Sequence, residues 1–313
     1  MATCALFDRL VLNAAHLKTH SSIPAFIYGT AWKKEDTADL VYLALSNGFT
    51  AVDTAAQPKH YREDLVAAGI AKAILDGKVR RSELYLQTKF TPVHGQDRAN
   101  MPYESKSAIA DQVHASVLSS LRKFNFGHVS KDDEVRQPYI DTLVLHSPMP
   151  SMHETLEVWQ TLEQYVPREI GNLGVSNCNL FTLIELYERA RIKPVVVQNR
   201  FYASTKYDTG VRRFCQDHGI VYQSFWTLTA NPALLKSAEA RHLASTLSIS
   251  PAAALYSLVL GLGQTTILNG TTKEQTMRED WQAVHTVAAY AESNPEAWSS
   301  LMAGFRILIG EIQ

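Results

Sequence analysis

Eight short apolar runs, separated by stretches with helical patterning, constrain this 313-residue chain more than anything else in it. In order they are Ile23–Tyr28, Phe49–Val52, Leu84–Thr88, Tyr139–Leu145, Gly171–Val175, Pro194–Val197, Ile220–Gln223 and Thr265–Leu268. Runs of this length, bounded by turn residues, read as buried strands. Between them, Leu40, Val41, Ala44 and Leu45 share one helical face, as do Ile109, Val113, Val117 and Leu121. Asp36 is placed to cap the first of these helices, Asn47–Gly48 to stop it, and Ser250–Pro251 to start a later one. Strand and helix alternating eight times predicts an α/β fold, a (β/α)8 TIM barrel, as a single domain over residues 1–313. The alternative, a doubly wound open sheet, lacks its Gly-x-Gly-x-x-Gly turn here.

In such a barrel the C-terminal strand ends converge on one mouth, where function is concentrated. The expected tips carry Thr30, Asp53, Lys89, His146, Ser176–Asn177, Gln198, Phe225–Trp226 and Thr271–Thr272. Taken singly, Asp53 reads as a turn cap, Lys89 as a surface lysine and His146 as a core histidine. Together with Tyr61, in the loop after Asp53, they make chemical sense. A buried lysine beside a tyrosine stabilises the phenolate and is expected to lower the phenol pKa from ~10 towards neutrality. The adjacent carboxylate would keep the lysine charged, and the tyrosine would exchange a proton with a carbonyl or alcohol oxygen that the histidine orients. The set contains no nucleophile and no metal site. It suits proton transfer coupled to another step, such as hydride transfer from a soluble cofactor.

The remaining tips match what a nicotinamide requires. Ser176, Asn177 and Gln198 offer hydroxyl and amide partners for a carboxamide, and Phe225 or Trp226 offers a flat face for the ring. Core packing is the alternative reading for both aromatics. Trp32, Phe90, Tyr202 and Trp226 are candidates for an aromatic substrate pocket, suited to a bulky apolar carbonyl compound, or equally for core and rim packing. The loops Thr91–Glu104 and Phe126–Pro138 are candidates for its rim.

From about Ile23 to Gln282 the chain resembles the aldo-keto reductases, fungal-type members above all. The resemblance rests on Gly29–Thr30, GF-x-x-x-DTA at Gly48–Ala55, Lys89, YIDTLVLHSP at Tyr139–Pro148, NLGVSN at Asn172–Asn177, Gln198, and GTTKEQTMRED at Gly270–Asp280. It implies an NAD(P)H-dependent carbonyl reductase with a catalytic tetrad of Asp53, Tyr61, Lys89 and His146. Tyr61 would be the general acid, Lys89 its pKa modulator, Asp53 the partner of the lysine, and His146 the donor that orients the carbonyl. By the same resemblance Gly29, Thr30, Ser176, Asn177, Gln198, Phe225, Trp226 and Leu228 would hold the cofactor, with Gly270, Thr271, Thr272, Glu279 and Asp280 at its adenosine half. NADP(H) is the cofactor expected first and NAD(H) second.

The chain departs from the family pattern in three places. Tyr61 lies eight residues after Asp53 rather than five, as if Gln57–Lys59 were inserted. The lysine and arginine that usually grip the 2′-phosphate are Gly270 and Thr276, leaving Lys273 or Arg278 to substitute. Little chain follows the last helix.

Composition narrows the partners. Thirty basic against 31 acidic side chains give no electrostatic pull towards nucleic acid or anionic lipid. Cys4, Cys178 and Cys215 have neither zinc spacing nor a disulfide framework, and the N-terminus lacks a signal-type apolar core. A cytoplasmic monomer acting on a small-molecule carbonyl substrate, without metal, nucleic acid or membrane, is the expectation. Two other readings stay open on the same barrel: a cofactor-binding regulatory protein or weakly active pseudo-reductase, and a non-redox isomerase using Tyr61 and His146.

Overall fold

A computed structural model describes residues 9–12, 22–127, 129 and 138–311. Strands β1 (Arg9–Val11) and β2 (Ser22–Pro24) form an antiparallel hairpin, with Leu10 opposite Ile23. The barrel strands are β3 (Phe26–Gly29), β4 (Ala51–Asp53), β5 (Tyr85–Phe90), β6 (Ile140–Leu145), β7 (Ile170–Ser176), β8 (Val196–Arg200), β9 (Val221–Phe225) and β10 (Thr265–Asn269). They pair in sequence order, all parallel, and β10 closes the barrel on β3 with Ile267 opposite Phe26. The run at 23–28, expected as one strand, is therefore two. Pro24 has no N–H to give a central ladder, so the chain leaves the hairpin there and the barrel strand starts at Phe26.

Helices fill the intervals: α1 (Thr37–Ser46), α2 (Glu63–Leu75), α3 (Ile109–Lys123), α4 (Met152–Leu162), α5 (Leu180–Arg189), α6 (Thr209–Asp217), α7 (Pro232–Leu235), α8 (Ala238–Leu247), α9 (Pro251–Leu260), α10 (Glu274–Ser293) and α11 (Pro295–Leu308). Two of these, α7 and α8, have no clear signal in the sequence; a single turn and a short helix capped by Ser237 carry too little apolar periodicity to stand out. Gly48 adopts φ +100° just past the end of α1, as the stop signal requires. Asp36, by contrast, accepts no capping hydrogen bond from its side chain; a 3-10 turn at Lys34–Asp36 precedes the helix, and Thr37 Oγ1 donates to Lys34 O instead. Ser250 caps α9 as expected, accepting from Ala253 N. The close approach of α1 and α2 needs Gly69, since a Cβ there would sit 2.5 Å from Ala38 O. Among the described residues no single helix is long and apolar enough to cross a membrane. The insert at 126–138 lies largely outside the described residues.

Among the described residues two apolar clusters hold the barrel. The larger fills the space between strands and helices, and the smaller plugs the bore at its N-terminal end, where Leu12 and Ile23 meet Ile27, Ala51, Tyr85, Val196 and Val221. Side chains on a strand alternate between faces, so the inward positions advance by two. One step above the plug the inward residues are Asp53, Gln87, Gln198 and Gln223, and one step higher are Lys89, Arg200 and Phe225. Apolar packing at the bottom thus gives way to a polar layer, with the mouth above it.

Candidate active site

Asp53 ends β4 and Lys89 lies one strand over, both buried. Lys89 Nζ donates to Asp53 Oδ1 at 2.7 Å, to Asp53 Oδ2 at 2.6 Å and to Thr54 O at 2.8 Å. These three bonds use all three ammonium hydrogens. Asp53 Oδ1 also accepts from Gln87 Nε2 at 2.6 Å and Gln198 Nε2 at 3.0 Å. A buried ion pair holds only with such a complete set of partners, and removing one member leaves an uncompensated charge.

Tyr61 arrives at this pair by a route the three extra residues create. Gln57 O accepts from His60 N at 3.1 Å and from Tyr61 N at 3.0 Å, so residues 57–61 make one hydrogen-bonded turn. Gln57 Nε2 anchors that turn by donating to Gly95 O at 2.6 Å. Beyond it, buried Glu63 opens α2 and accepts from Thr88 Oγ1, Ser120 Oγ and Lys123 Nζ at 2.6–2.8 Å, pinning the helix to β5 and α3. The extra length is therefore wound up rather than spread out. Lys89 Nζ lies 5.2 Å from the Tyr61 ring centre, and the His146 ring lies 6.0 Å from it, edge to face. Asp53, Tyr61, Lys89 and His146 come together as one cluster.

The electrostatics differ from the sequence expectation in one respect. Burial, with the Asp53 charge adding to it, pushes the Tyr61 phenol up rather than down. Lys89 gives the phenol no direct bond to offset this, because its hydrogens are all held by Asp53 and Thr54. Burial likewise lowers Lys89, against the pull of Asp53. His146, just past β6, is held well below the usual imidazole range by burial, with Lys89, His60 and His94 contributing. It is neutral at pH 7. Its Nδ1 is 2.7 Å from Thr91 Oγ1, which ties the ring to the end of β5 and leaves Nε2 for a ligand.

A cavity of about 720 Å³ runs from this cluster across the ends of β7–β10 to α10. Asp53, Tyr61 and His146 line it, with Lys89 buried behind. Of the expected cofactor residues, Gly29, Ser176, Asn177, Gln198, Phe225 and Trp226 face it. So do Leu228, Gly270, Thr271 and Asp280. Thr30 does not; it is buried beneath, donating through Oγ1 to Asp53 O at 2.9 Å. Thr272 and Glu279 are exposed and off the cavity, Glu279 accepting from Gln275 Nε2 at 2.8 Å. Lys273 and Arg278 are also exposed and off it, Arg278 pairing with Glu274 at 3.0 Å.

Among the expected substrate aromatics, only Trp32 and Trp226 line the cavity, both more than half exposed. Phe90 is a core residue stacked on Tyr103, and Tyr202 lines a separate cavity of about 420 Å³ beside the first. The loop at 91–104 buttresses rather than lines the site, through Thr91 on His146 and Gly95 on Gln57.

The structure adds residues that sequence reasoning passed over. Lys33 lines the cavity and donates to Gly270 O; burial lowers its pKa. Arg200 stacks over Trp226, 4.6 Å from the ring centre, and lines both cavities. Buried Gln87 and Gln223 join Gln198 beneath the mouth. A signal for all but Lys33 was present: each stands two residues from a strand-tip candidate and so shares its inward phase. Asp280 is 2% exposed; its Oδ2 accepts from Asn269 Nδ2 at 2.8 Å while Oδ1 has no partner. Burial raises its pKa to about 6.

Fold and site together define a (β/α)8 barrel with an acid–lysine–tyrosine–histidine cluster at its C-terminal mouth. The aldo/keto reductase family profile matches residues 25–289, and the chain belongs to that family. It is 29% identical over 226 residues to "Aldo-keto reductase AKR2E4" of Bombyx mori, covering 67% of this chain and 64% of that protein. To "NAD(P)H-dependent D-xylose reductase" of Pachysolen tannophilus it is 26% identical over 215 residues, covering 60% and 59%. The chain thus spans somewhat less than two thirds of the length of these relatives. The crystal structure of Bombyx mori AKR2E4 in complex with NADP superposes with a TM-score of 0.67 at 22% identity, over 90% of this chain and 93% of that one. An aldo/keto reductase from Brucella melitensis gives 0.66 at 21% identity, over 87% and 93%. At these identities the superpositions speak for the fold.

Proposed function

We propose that this protein reduces small aldehydes or ketones to alcohols with a soluble nicotinamide cofactor, and that Asp53, Tyr61, Lys89 and His146 are its catalytic residues. The observation that carries the reading is the meeting of Tyr61 and His146 at the cavity wall directly above the buried Lys89–Asp53 pair. A phenol held protonated is a proton donor at rest, which suits reduction. In the tautomer in which the Thr91 hydroxyl donates to Nδ1, the neutral His146 carries its ring proton on Nε2 and can hydrogen-bond a carbonyl oxygen. Tyr61 gives its proton to that same oxygen, and the nearby Lys89 charge stabilises the phenolate left behind. A bound reduced nicotinamide would supply the hydride.

The residues present suit such a dinucleotide. Ser176, Asn177 and Gln198 stand at one end with the Phe225 ring beside them, and the unpartnered Asp280 Oδ1 at the other end offers an acceptor for an amino or hydroxyl group. NADP(H), which accompanies the Bombyx mori relative, is the first cofactor to test, and NAD(H) the second. Small carbonyl compounds are the substrate class, in a cytoplasmic, monomeric enzyme; sedimentation of the purified protein checks the last point.

Tyr61→Phe tests the assignment. Turnover should fall by about 10²–10⁴, the usual contribution of a positioned acid, while cofactor affinity stays within a fewfold. Unchanged turnover would remove Tyr61 from the mechanism.

A further inference from the structure

We propose that Gln87 and Gln223, neither of which reaches the cavity, are positioning residues that lock Gln198 so that it meets a ligand only as a hydrogen-bond acceptor. The inference rests on the nicotinamide reading above and adds to it the orientation of the carboxamide.

The four residues of the polar layer span the bore. Asp53 and Gln87 face each other in register on β4 and β5, and Gln198 and Gln223 on β8 and β9, across the barrel. A carboxylate only accepts hydrogen bonds. Gln87 and Gln198, both bonded to Asp53 Oδ1, must therefore each turn an Nε2 hydrogen towards it. The second hydrogen of each goes to Gln223 Oε1, at 2.8 Å from Gln87 and 2.9 Å from Gln198. That oxygen has two lone pairs and takes both donors. Gln223 Nε2 then donates to Gln87 Oε1 at 3.0 Å. One charge thus sets the direction of three amides. Gln87 and Gln223 are fully buried, so no water competes for these groups.

Gln198 is the member that lines the cavity, and both its amide hydrogens are held below. Only its carbonyl oxygen remains for a ligand. Its neighbours are committed in the same way. Ser176 Oγ donates to Gln198 O at 2.6 Å, and Asn177 Nδ2 donates to His146 O at 2.9 Å and Ser176 Oγ at 3.1 Å. The three residues expected to hold a carboxamide have no donor left for its oxygen. They select its NH2 group, and the carboxamide turns its nitrogen towards Gln198.

A cofactor analogue isolates this point. In the 3-acetylpyridine analogue of NADP⁺ a methyl replaces the amide NH2, so the group keeps its carbonyl and loses its donors. Titrated by tryptophan fluorescence quenching, the wild-type protein should bind the analogue about tenfold more weakly than NADP⁺, the cost of one hydrogen bond lost in a buried site. Gln223→Met keeps the volume and removes the oxygen that holds the second hydrogen of Gln198. With that hold gone the Gln198 amide can turn over and present an N–H to the acetyl oxygen, and the affinity ratio should shrink to within about threefold. Gln223→Glu, in its protonated form, offers an oxygen to both amides and a hydroxyl to Gln87 Oε1, and should restore the wild-type ratio. If Gln223→Met does not fold, as judged by circular dichroism, Gln87→Met replaces it; that change removes the acceptor that orients Gln223 and should also narrow the ratio. A ratio that stays tenfold in a folded Met variant overturns the lock while leaving the cofactor reading intact. Equal wild-type binding of the two ligands overturns it as well. A wild-type protein that binds neither ligand nor NADH overturns both readings.

Discussion

The two ends of the one cavity are built on different terms. At the catalytic end, Asp53, Lys89 and the three glutamines sit on barrel strands and their polar groups are matched to one another at 2.6–3.0 Å. At the far end the wall is the loop and helix after β10. There Asp280 is buried with one oxygen unpartnered, and the charged groups expected from sequence, Lys273, Arg278 and Glu279, point into solvent. A strand pair fixes its inward residues through the ladder, so a polar layer inside a barrel can be completed by the protein alone. A helix start after a loop has no such frame, and its unmet group looks to a ligand. The contrast teaches that the polar layer beneath the mouth is preorganised by the strands, whereas the far wall keeps an unmet group for a ligand, on the reading proposed above the rest of the cofactor.

Removing one partner from the matched end should do the most damage. Lys89→Met leaves the Asp53 carboxylate buried with only amide donors, and it should cost about 3–5 kcal/mol of stability along with essentially all turnover. Chemical denaturation and a carbonyl-reduction assay on the folded fraction measure the two losses. A stable, active Lys89→Met protein would end the comparison, because it would mean the matched end is not under load. Deleting residues 57–59 comes next. It removes the turn that Gln57 anchors and returns Tyr61 to five residues after Asp53. Since Gln57 packs on Gly95 and the turn sets where Tyr61 lies, turnover should fall by at least about tenfold. Cofactor affinity should hold, because the deletion leaves the ends of β7–β10 untouched. Activity at the wild-type level would show that the loop, rather than the barrel, adapts to place the phenol.

The same contrast explains what was legible in the sequence. Strand periodicity and polar tips located the barrel and Asp53, Lys89, His146, Ser176 and Gln198, because a strand carries its side chains to fixed heights. The glutamines were legible in principle by stepping back two residues from Lys89 and Phe225. They were passed over because a glutamine inside an apolar run reads as an imperfection of the strand. Tyr61 could be named but not positioned, since the turn at 57–61 depends on a bond to Gly95, 38 residues away. Phe90 and Tyr202 fall on the other side of the alternative left open for them, Phe90 in the core and Tyr202 half-buried at a neighbouring cavity, because sequence does not say which way an aromatic near a strand end faces. Thr272 and Glu279 were carried over with their motif, and motif membership does not tell which way the loop before α10 or which face of that helix looks inward. The direction of the Tyr61 pKa shift was beyond sequence altogether. It depends on how completely the folded chain buries the phenol and on how near Asp53 comes to it.

The two ends should also part company with pH, and this is the smallest effect and the finest test. The folded pKa of His146 is depressed, so its contribution to stability is present above its unfolded value of ~6.5 and is lost as pH falls from there towards the folded value. Asp280 works in the other direction. Its folded pKa is raised to about 6, so its contribution is present below the unfolded value of ~3.9 and is lost as pH rises through 6. Glu279 beside it adds to the rise and Asn269 opposes it. Asp280→Asn should therefore stabilise the free protein by about 1–3 kcal/mol at pH 7.5 and by little at pH 4, flattening the stability profile across pH 4–7. His146→Asn should flatten it only on the acid side of 6.5. Thermal melts of both variants at intervals of half a pH unit read the two signs separately. If Asp280→Asn gains nothing at pH 7.5, the unpartnered oxygen is already satisfied in the free protein, and the far wall is as complete as the polar layer on the strands.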